Sequence, residues 1–131
     1  MSPANPVPSS VHATSTGKAL LALLPAEERR DLLGQRLSRH TSRTITAAGA
    51  LDRELGRVRR RGYAAAVEEL ERGYVAVGAA VQDSGGRPVA AISLGGPRVR
   101  FPAARIALLG RQLRAAADRV PHALGYRGTP C

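Results

Sequence analysis

The sequence predicts an α/β protein of the α+β type, in which three helices precede an antiparallel sheet and a fourth helix follows it. Two observations support this prediction. Apolar residues recur at helical spacing before residue 62 and again after residue 101, whereas between these positions they alternate as they do in strands. The tetrapeptide Asp83-Ser84-Gly85-Gly86 separates two of the alternating runs, as the turn of a β-hairpin does.

The composition is that of one folded domain with a modest core. The chain has 131 residues, of which 44% are hydrophobic and only 3% aromatic, so we expect a core of aliphatic side chains and alanines. Residues 1–10 are rich in proline and serine and are interpreted as a linker or disordered end, with the domain at residues 11–131.

Cys131 is the only cysteine, which excludes an internal disulfide. Because no apolar run is long enough for a membrane span, we expect a cytoplasmic protein without membrane contact.

The segment from His12 to Ala19 predicts the start of the first helix. Its sequence, HATSTGKA, places hydroxyl groups and a glycine before a run of leucines, and we expect a helix from Ser15 to Leu24 with Thr14 or Ser15 as N-cap. The first N–H groups of a helix have no acceptor within it, so this is either an ordinary capped start or a place that holds a small carboxylate. Pro25 then predicts the first turn of a second helix. The expected apolar contacts of that helix are Leu32, Leu33 and Leu37.

The third predicted helix extends from Ala47 to Arg61, with Thr46 as N-cap and Gly62 as its C-terminal stop. Its apolar side chains share one face and comprise Leu51, Leu55 and Val58. Its arginines share the other side and comprise Arg53, Arg57, Arg60 and Arg61. Together with the net charge of +10, this arginine-rich face leaves direct nucleic-acid binding as an alternative function.

Three strands are predicted after the third helix, and the last two form an antiparallel hairpin. They extend from Tyr63 to Val67, from Tyr74 to Gln82 and from Pro88 to Gly95. Side chains alternate between the two faces of a strand. The larger residues therefore form a core face, which comprises Val75, Val77, Ala79, Val81, Ile92 and Leu94.

The opposite face of the hairpin is nearly empty of bulk. It comprises Ala76, Gly78, Ala80, Ala91, Ser93 and Gly95. Small residues of this kind either receive a closely packed helix or border a cavity, into which the Ser93 hydroxyl would be directed. The sequence alone leaves both possibilities open.

A fourth helix is predicted from Pro102 to Val120. Its apolar side chains at helical spacing are Ile106, Leu109, Leu113, Ala116 and Val120. The tripeptide Leu124-Gly125-Tyr126 is expected to close the domain.

The sequence contains no recognisable catalytic or cofactor motif. The histidines are too far apart for a metal site or a catalytic triad, and we interpret them as structural or exposed; they are His12, His40 and His122. Three glutamates near an arginine are interpreted as a solvated strand end rather than as catalytic acids; they are Glu68, Glu69 and Glu71. We therefore expect no enzyme, no metal and no cofactor.

Four motifs in order resemble the C-terminal effector-binding domain of IclR-type transcriptional regulators. They are HATSTGKALLALLP at 12–25, TIT with the following L..EL..VR.RGY at 44–63, EE...G at 68–73, and AAVQDSGGRPVAAISLGGP at 79–97 with a closing helix and LGY. Each motif alone is weak, but their order and separations make a strong match that covers nearly all of the chain from Val11 onward.

This resemblance implies a GAF-like fold, in which an antiparallel sheet and flanking helices enclose a pocket for a small organic or aromatic acid. It also implies a homodimer or homotetramer whose states differ in affinity for effector and for DNA. DNA would be bound by a winged helix-turn-helix domain, which does not precede Val11 here. Strands that the family carries upstream of the HAT motif are also absent, so we expect a sheet that is incomplete at its N-terminal side. The chain would then be either a fragment of a full regulator or a remnant domain that borrows strands from a partner.

Residue by residue, the resemblance assigns the effector pocket to three short segments. The positions are Ser15, Thr16 and Gly17 at the helix start, Ala76 on the second strand, and Ser93 and Gly95 on the third. Family members that hold small keto acids tend to have hydroxyls or a thiol where this chain has Ala76 and Gly95, so a bulkier or more apolar acid is expected. The alternative to an effector sensor is a dimerisation or interaction module of the same fold with a collapsed pocket.

Overall fold

Helices and strands follow one another in the predicted order. The structure is a computed structural model and describes residues 10–34 and 37–123, with side chains as far as residue 120. The elements are a 3₁₀ turn Val11–Ala13, helices α1 Ser15–Leu23, α2 Ala26–Leu33 and α3 Ala48–Arg61, strands β1 Ala64–Val67, β2 Tyr74–Gln82 and β3 Pro88–Pro97, a 3₁₀ turn Arg98–Arg100 and helix α4 Ala103–Ala123. The predicted α+β class is confirmed. Residues 1–9, the closing tripeptide at 124–126 and Cys131 lie outside the described residues.

The first two helices meet at Pro25. As predicted, Thr14 is the N-cap of α1, and its Oγ1 accepts the N–H of Gly17 at 3.0 Å. Pro25 is the N-cap of α2 rather than part of its first turn. Leu33 and Leu37 pack against the core as expected, but the prediction for Leu32 is wrong because its side chain remains 41% exposed on the outer side of this short helix.

Helix α3 buries the predicted apolar face, and the buried side chains are Leu51, Leu55 and Val58. Gly62 ends the helix in the left-handed conformation at φ 84°, which a glycine adopts without strain. The prediction of Thr46 as N-cap is wrong. Ala47 occupies that position without a side-chain hydrogen bond, because Oγ1 of Thr46 instead accepts a hydrogen bond from Nη2 of Arg39 at 3.0 Å.

The sheet is antiparallel with the order β1-β2-β3. Helix α1 lies between α3 and the small-residue face of the sheet, and the core there consists of Ala19, Leu21, Ala22, Leu51, Leu55, Val58 and Ala64. Helix α4 covers the opposite face, where Ala117 packs with Ala79 and Val81. No described helix is long and apolar enough to cross a bilayer.

One side chain of the predicted core face is in contact with solvent. Ile92 packs against the core under α4, but Leu94 is 51% exposed. Helix α4 lies mainly over β2, so it does not reach the far end of β3, which is an edge strand among the described residues. The prediction that Leu94 belongs to the core is therefore wrong.

Candidate functional site

A cleft of about 200 Å³ opens between the start of α1 and the small-residue face of the sheet. Its lining residues are Ala13, Thr14, Ser15, Thr16, Ala66, Leu70, Tyr74, Ala76 and Ser93. A cavity of roughly 150 Å³ is known to hold benzene. The cleft thus has room for a molecule with one six-membered ring.

The small residues of the sheet determine where α1 packs and where the cleft begins. A Cβ atom on Gly78 would stand 3.1 Å from Oγ of Ser15, so the glycine allows the helix to approach the strand closely. Beyond this contact, the methyl groups of Ala66 and Ala76 leave space below the start of the helix. The small-residue face therefore both receives a helix and borders a cavity.

Four of the six predicted effector-binding residues line the cleft, namely Ser15, Thr16, Ala76 and Ser93. The other two lie behind its walls. Gly17, in the first turn of α1, is packed against the carbonyl group of Val11. Gly95 is packed against Tyr74, since a Cβ atom on it would stand 2.1 Å from the Tyr74 hydroxyl oxygen. Each glycine thus makes room for a group that shapes the cleft.

The polar side of the cleft is the N-terminal end of α1. Thr14 occupies two of the first N–H groups, because its Oγ1 accepts from Gly17 and its carbonyl oxygen accepts from Lys18, both at 3.0 Å. The N–H groups of Ser15 and Thr16 begin the helix, where no carbonyl of the preceding helical turn is available to them. Helix N-termini carry a partial positive charge. With the neighbouring hydroxyls, this end of the cleft suits a small anion.

Five cleft residues were not assigned to the pocket from the sequence, namely Ala13, Thr14, Ala66, Leu70 and Tyr74. Tyr74 begins β2 two residues before Ala76, so strand alternation places both on one face, and this signal was available. Leu70 lies in the charged connection between β1 and β2 as an isolated apolar residue. Nothing in its local pattern indicates that it faces a cleft.

The ammonium group of Lys18, which is fully buried, was also missed. Its Nζ donates to Oε2 of Glu54 at 2.9 Å, to the carbonyl oxygen of Ala65 at 2.6 Å and to both carboxylate oxygens of Glu69 at 3.0 Å. The interpretation of Glu69 as part of a solvated strand end is therefore wrong. Its carboxylate is drawn inward because a buried ammonium needs an anionic partner.

The two carboxylates around Lys18 have pKa values shifted in opposite directions. Burial raises the pKa of Glu69 above its usual 4.5, and the attraction of Lys18 does not fully offset this effect. Burial also tends to raise the pKa of Glu54, but the charge and hydrogen bond of Lys18, the hydrogen bond of Arg57 and the charge of Arg61 together lower it. Glu54 is thus held firmly in its ionised form.

The histidines do not form a catalytic cluster in the described part of the chain. His12 is buried, and its Nε2 lies 2.8 Å from the carbonyl oxygen of Ser38, in line with a structural role. The ring of the exposed His40 lies 5.9 Å from that of His12, measured between centroids. The side chain of His122 lies outside the described residues. Among those residues, no group of three His, Cys, Asp or Glu side chains is placed to hold a metal.

Comparison with known proteins gives consistent matches along most of the chain. A family model described as the C-terminal domain of the bacterial transcriptional regulator IclR matches residues 8–122. The HTH-type transcriptional repressor AllR of Klebsiella pneumoniae is 39% identical over 118 residues, which cover 89% of this chain and 43% of that protein. The chain thus spans less than half the length of this curated relative.

Solved structures match the fold as well. The Agobacterium tumefaciens repressor BlcR has a TM-score of 0.82 and 35% identity, covering 89% of this chain and 47% of that one. A double mutant of the PobR inducer-binding domain from Acinetobacter, in complex with 3-hydroxybenzoic acid, has a TM-score of 0.75 and 30% identity, covering 92% of this chain and 71% of that one. Each of these two structural matches covers most of this chain.

Proposed function

The chain belongs to the IclR family of bacterial transcriptional regulators as an effector-binding domain, and on this basis we propose that its cleft binds a small organic acid, with aromatic acids as the favoured class. The observation that supports this proposal is the composition of the cleft. The N-terminal end of α1 provides N–H groups and hydroxyls at Ser15 and Thr16, while Ala66, Leu70 and Ala76 provide apolar walls. An aromatic carboxylate has both features.

The proposed mode of binding follows from where the polar groups lie. The carboxylate would take the helix N-terminus, where charge and hydrogen bonds favour an anion. The ring would lie against the alanines and Leu70, and the hydroxyls of Ser93 and Tyr74 would accept or donate a hydrogen bond at a ring substituent. The double mutant of the PobR inducer-binding domain supports this class of ligand, since it forms a complex with 3-hydroxybenzoic acid.

The action on transcription is part of the same proposal. In the cytoplasm, an effector that binds two states of a homodimer or homotetramer unequally shifts the population between them and so changes DNA affinity. DNA itself would be held by a winged helix-turn-helix domain. This fits the AllR relative, which is described as an HTH-type repressor and of which this chain matches 43%.

A thermal-unfolding series tests the proposal. The chain is heated with 3-hydroxybenzoate, benzoate, pyruvate or glyoxylate, and with benzamide as the uncharged counterpart of benzoate. A ligand of the folded state present at about 100 times its Kd should raise the unfolding midpoint by on the order of 10 °C. We expect the aromatic acids to raise it most and benzamide to raise it little.

Two results would contradict the proposal. If benzamide and benzoate raise the midpoint equally, the carboxylate does not use the helix N-terminus. If no acid raises the midpoint of a cooperative transition, while the chain self-associates in sedimentation, the domain is an interaction module rather than an effector sensor.

A further inference from the structure

The cleft residue Leu70 directly follows a glutamate that is ion-paired with helix α1. Glu69 precedes Leu70 and is bound by the buried ammonium of Lys18, which lies two residues after Thr16 on α1. We propose that Lys18 and Glu69 act as a positioning pair that holds Leu70 against the cleft and so sets its affinity for acids. The positioning of Leu70 follows from these contacts, whereas its effect on affinity rests on the proposed function.

The pair joins the two sides of the cleft. One side is the start of α1, which carries Ser15 and Thr16, and the other is the connection from β1 to β2, which carries Leu70. Nζ of Lys18 is within 3.0 Å of both carboxylate oxygens of Glu69. The side chains of Lys18 and Glu69 are 0% and 12% exposed, so water screens their attraction only weakly. Separating the two sides of the cleft would deprive the buried ammonium of Lys18 of one of its two carboxylate partners.

The connection that carries Leu70 has a fixed shape near Glu69. Oγ1 of Thr41 donates to the carbonyl oxygen of Glu68, and Oγ1 of Thr44 donates to that of Glu69. Glu68 has a φ of 56°, which costs free energy for a residue other than glycine and persists only where its surroundings hold it. Its carboxylate accepts the N–H of Gly73 at 3.0 Å. The threonines thus hold the backbone of the connection, and Lys18 holds the side chain of Glu69, the residue before Leu70.

The same ammonium has a second carboxylate partner, which is not adjacent to a residue of the β1–β2 connection. Glu54 lies on α3, where its other charged partners are Arg57 at 2.9 Å and Arg61 at 3.8 Å. Removing the charge of Glu54 therefore disturbs the same buried cluster without releasing the wall at Leu70. This makes Glu54 a matched control for Glu69.

The test compares Glu69→Gln with Glu54→Gln in the full chain by two measurements. The first is amide hydrogen exchange of residues 68–74 without added acid, followed by mass spectrometry. The second is the Kd for 3-hydroxybenzoate by calorimetry. For E69Q we expect exchange in this segment to become about tenfold faster and the Kd to rise about tenfold, as for loss of coupling between contacting residues. For E54Q we expect a lower unfolding midpoint but little change in either quantity.

The outcomes separate this proposal from the proposed function. If the two variants speed exchange and weaken binding alike, the cluster acts through global stability and the positioning role is overturned. An E69Q chain that matches the wild type in exchange overturns it as well. If wild type binds no acid but E69Q still loosens residues 68–74 selectively, Leu70 is positioned as proposed and the effector assignment fails. Should E69Q not fold, Glu69→Asp shortens the side chain while keeping its charge, and the same comparison with Glu54→Asp decides.

Discussion

Gly17 is packed so closely against Val11 that a Cβ atom on the glycine would stand 1.9 Å from the Val11 carbonyl oxygen. The same atom would stand 2.6 Å from Oγ1 of Thr14, the group that caps α1 by accepting the N–H of Gly17. Both of these oxygen atoms belong to the segment that leads into α1 at the edge of the cleft. The glycine is thus required by the helix start that the effector is proposed to use.

Replacement of Gly17 with alanine should destabilise the chain. The added methyl group must displace backbone at Val11 and disturb the cap at Thr14, so we expect a loss of about 2–4 kcal/mol in the free energy of unfolding. Urea denaturation followed by circular dichroism measures this quantity.

Gly56→Ala is the matched control for this substitution. Gly56 lies inside α3, where the nearest atoms to an added Cβ are arginine side-chain nitrogens at 3.6 Å. Because alanine favours a helix over glycine, G56A should gain up to about 1 kcal/mol. A G17A chain as stable as G56A would show that the turn at Val11 moves freely, against the close packing described above.

Ser93→Ala should weaken acid binding while leaving the fold unchanged. Ser93 lies on the edge strand β3, is exposed and lines the cleft, so its hydroxyl is available to a ligand. Losing one hydrogen bond of about 1 kcal/mol raises the Kd about fivefold. Calorimetry with 3-hydroxybenzoate measures the change, and Ser84→Ala in the β2–β3 turn provides an exposed serine away from the cleft. Equal Kd values for S93A and wild type would remove Ser93 from the site.

Lowering the pH should change the free energy of unfolding in opposite directions through Glu54 and Glu69. The pKa of Glu54 is lowered in the folded chain, so its contribution is present above the unfolded pKa and is lost as the pH falls below 4.5. The pKa of Glu69 is raised, so the folded chain binds a proton more readily and gains stability as the pH falls toward 4.5 from above.

Thermal unfolding between about pH 7 and about pH 3.5 tests these signs. Relative to wild type, E54Q should lose less stability in the range below 4.5, and E69Q should lack the gain in the range just above it. Parallel curves for wild type and both variants would show that neither carboxylate changes its pKa on folding.

The sequence predicted the fold because each element carries its own local signal. The face of α3 that holds Leu55 follows from helical periodicity, and the sheet faces follow from alternation. The same alternation brought Ala76 and Ser93 to one face, and a capped helix start placed Ser15 near them. These signals depend on neighbours within a few positions of the chain.

The features that were missed depend on contacts between distant segments. Lys18 and Glu69 are 51 positions apart, and no local pattern shows that a lysine on α1 will be enclosed by two glutamates. Leu70 becomes a cleft wall only because its connection is folded toward α1. Leu94 alternates as a core residue does, yet its exposure is decided by where α4 lies across the sheet.

Filling the cleft should weaken acid binding without unfolding the chain. Ala76 lines the cleft, so Ala76→Leu places three more carbon atoms in a space of about 200 Å³. Because these atoms enter an open cleft rather than a packed core, we expect stability to change by less than about 1 kcal/mol, while the Kd for 3-hydroxybenzoate rises more than about tenfold. Ala90→Leu, exposed on the opposite face of β3, controls for added apolar bulk and should bind as wild type does. If A76L binds the acid with unchanged Kd, the acid occupies another site, and the helix start at Ser15 and Thr16 would then have no demonstrated ligand.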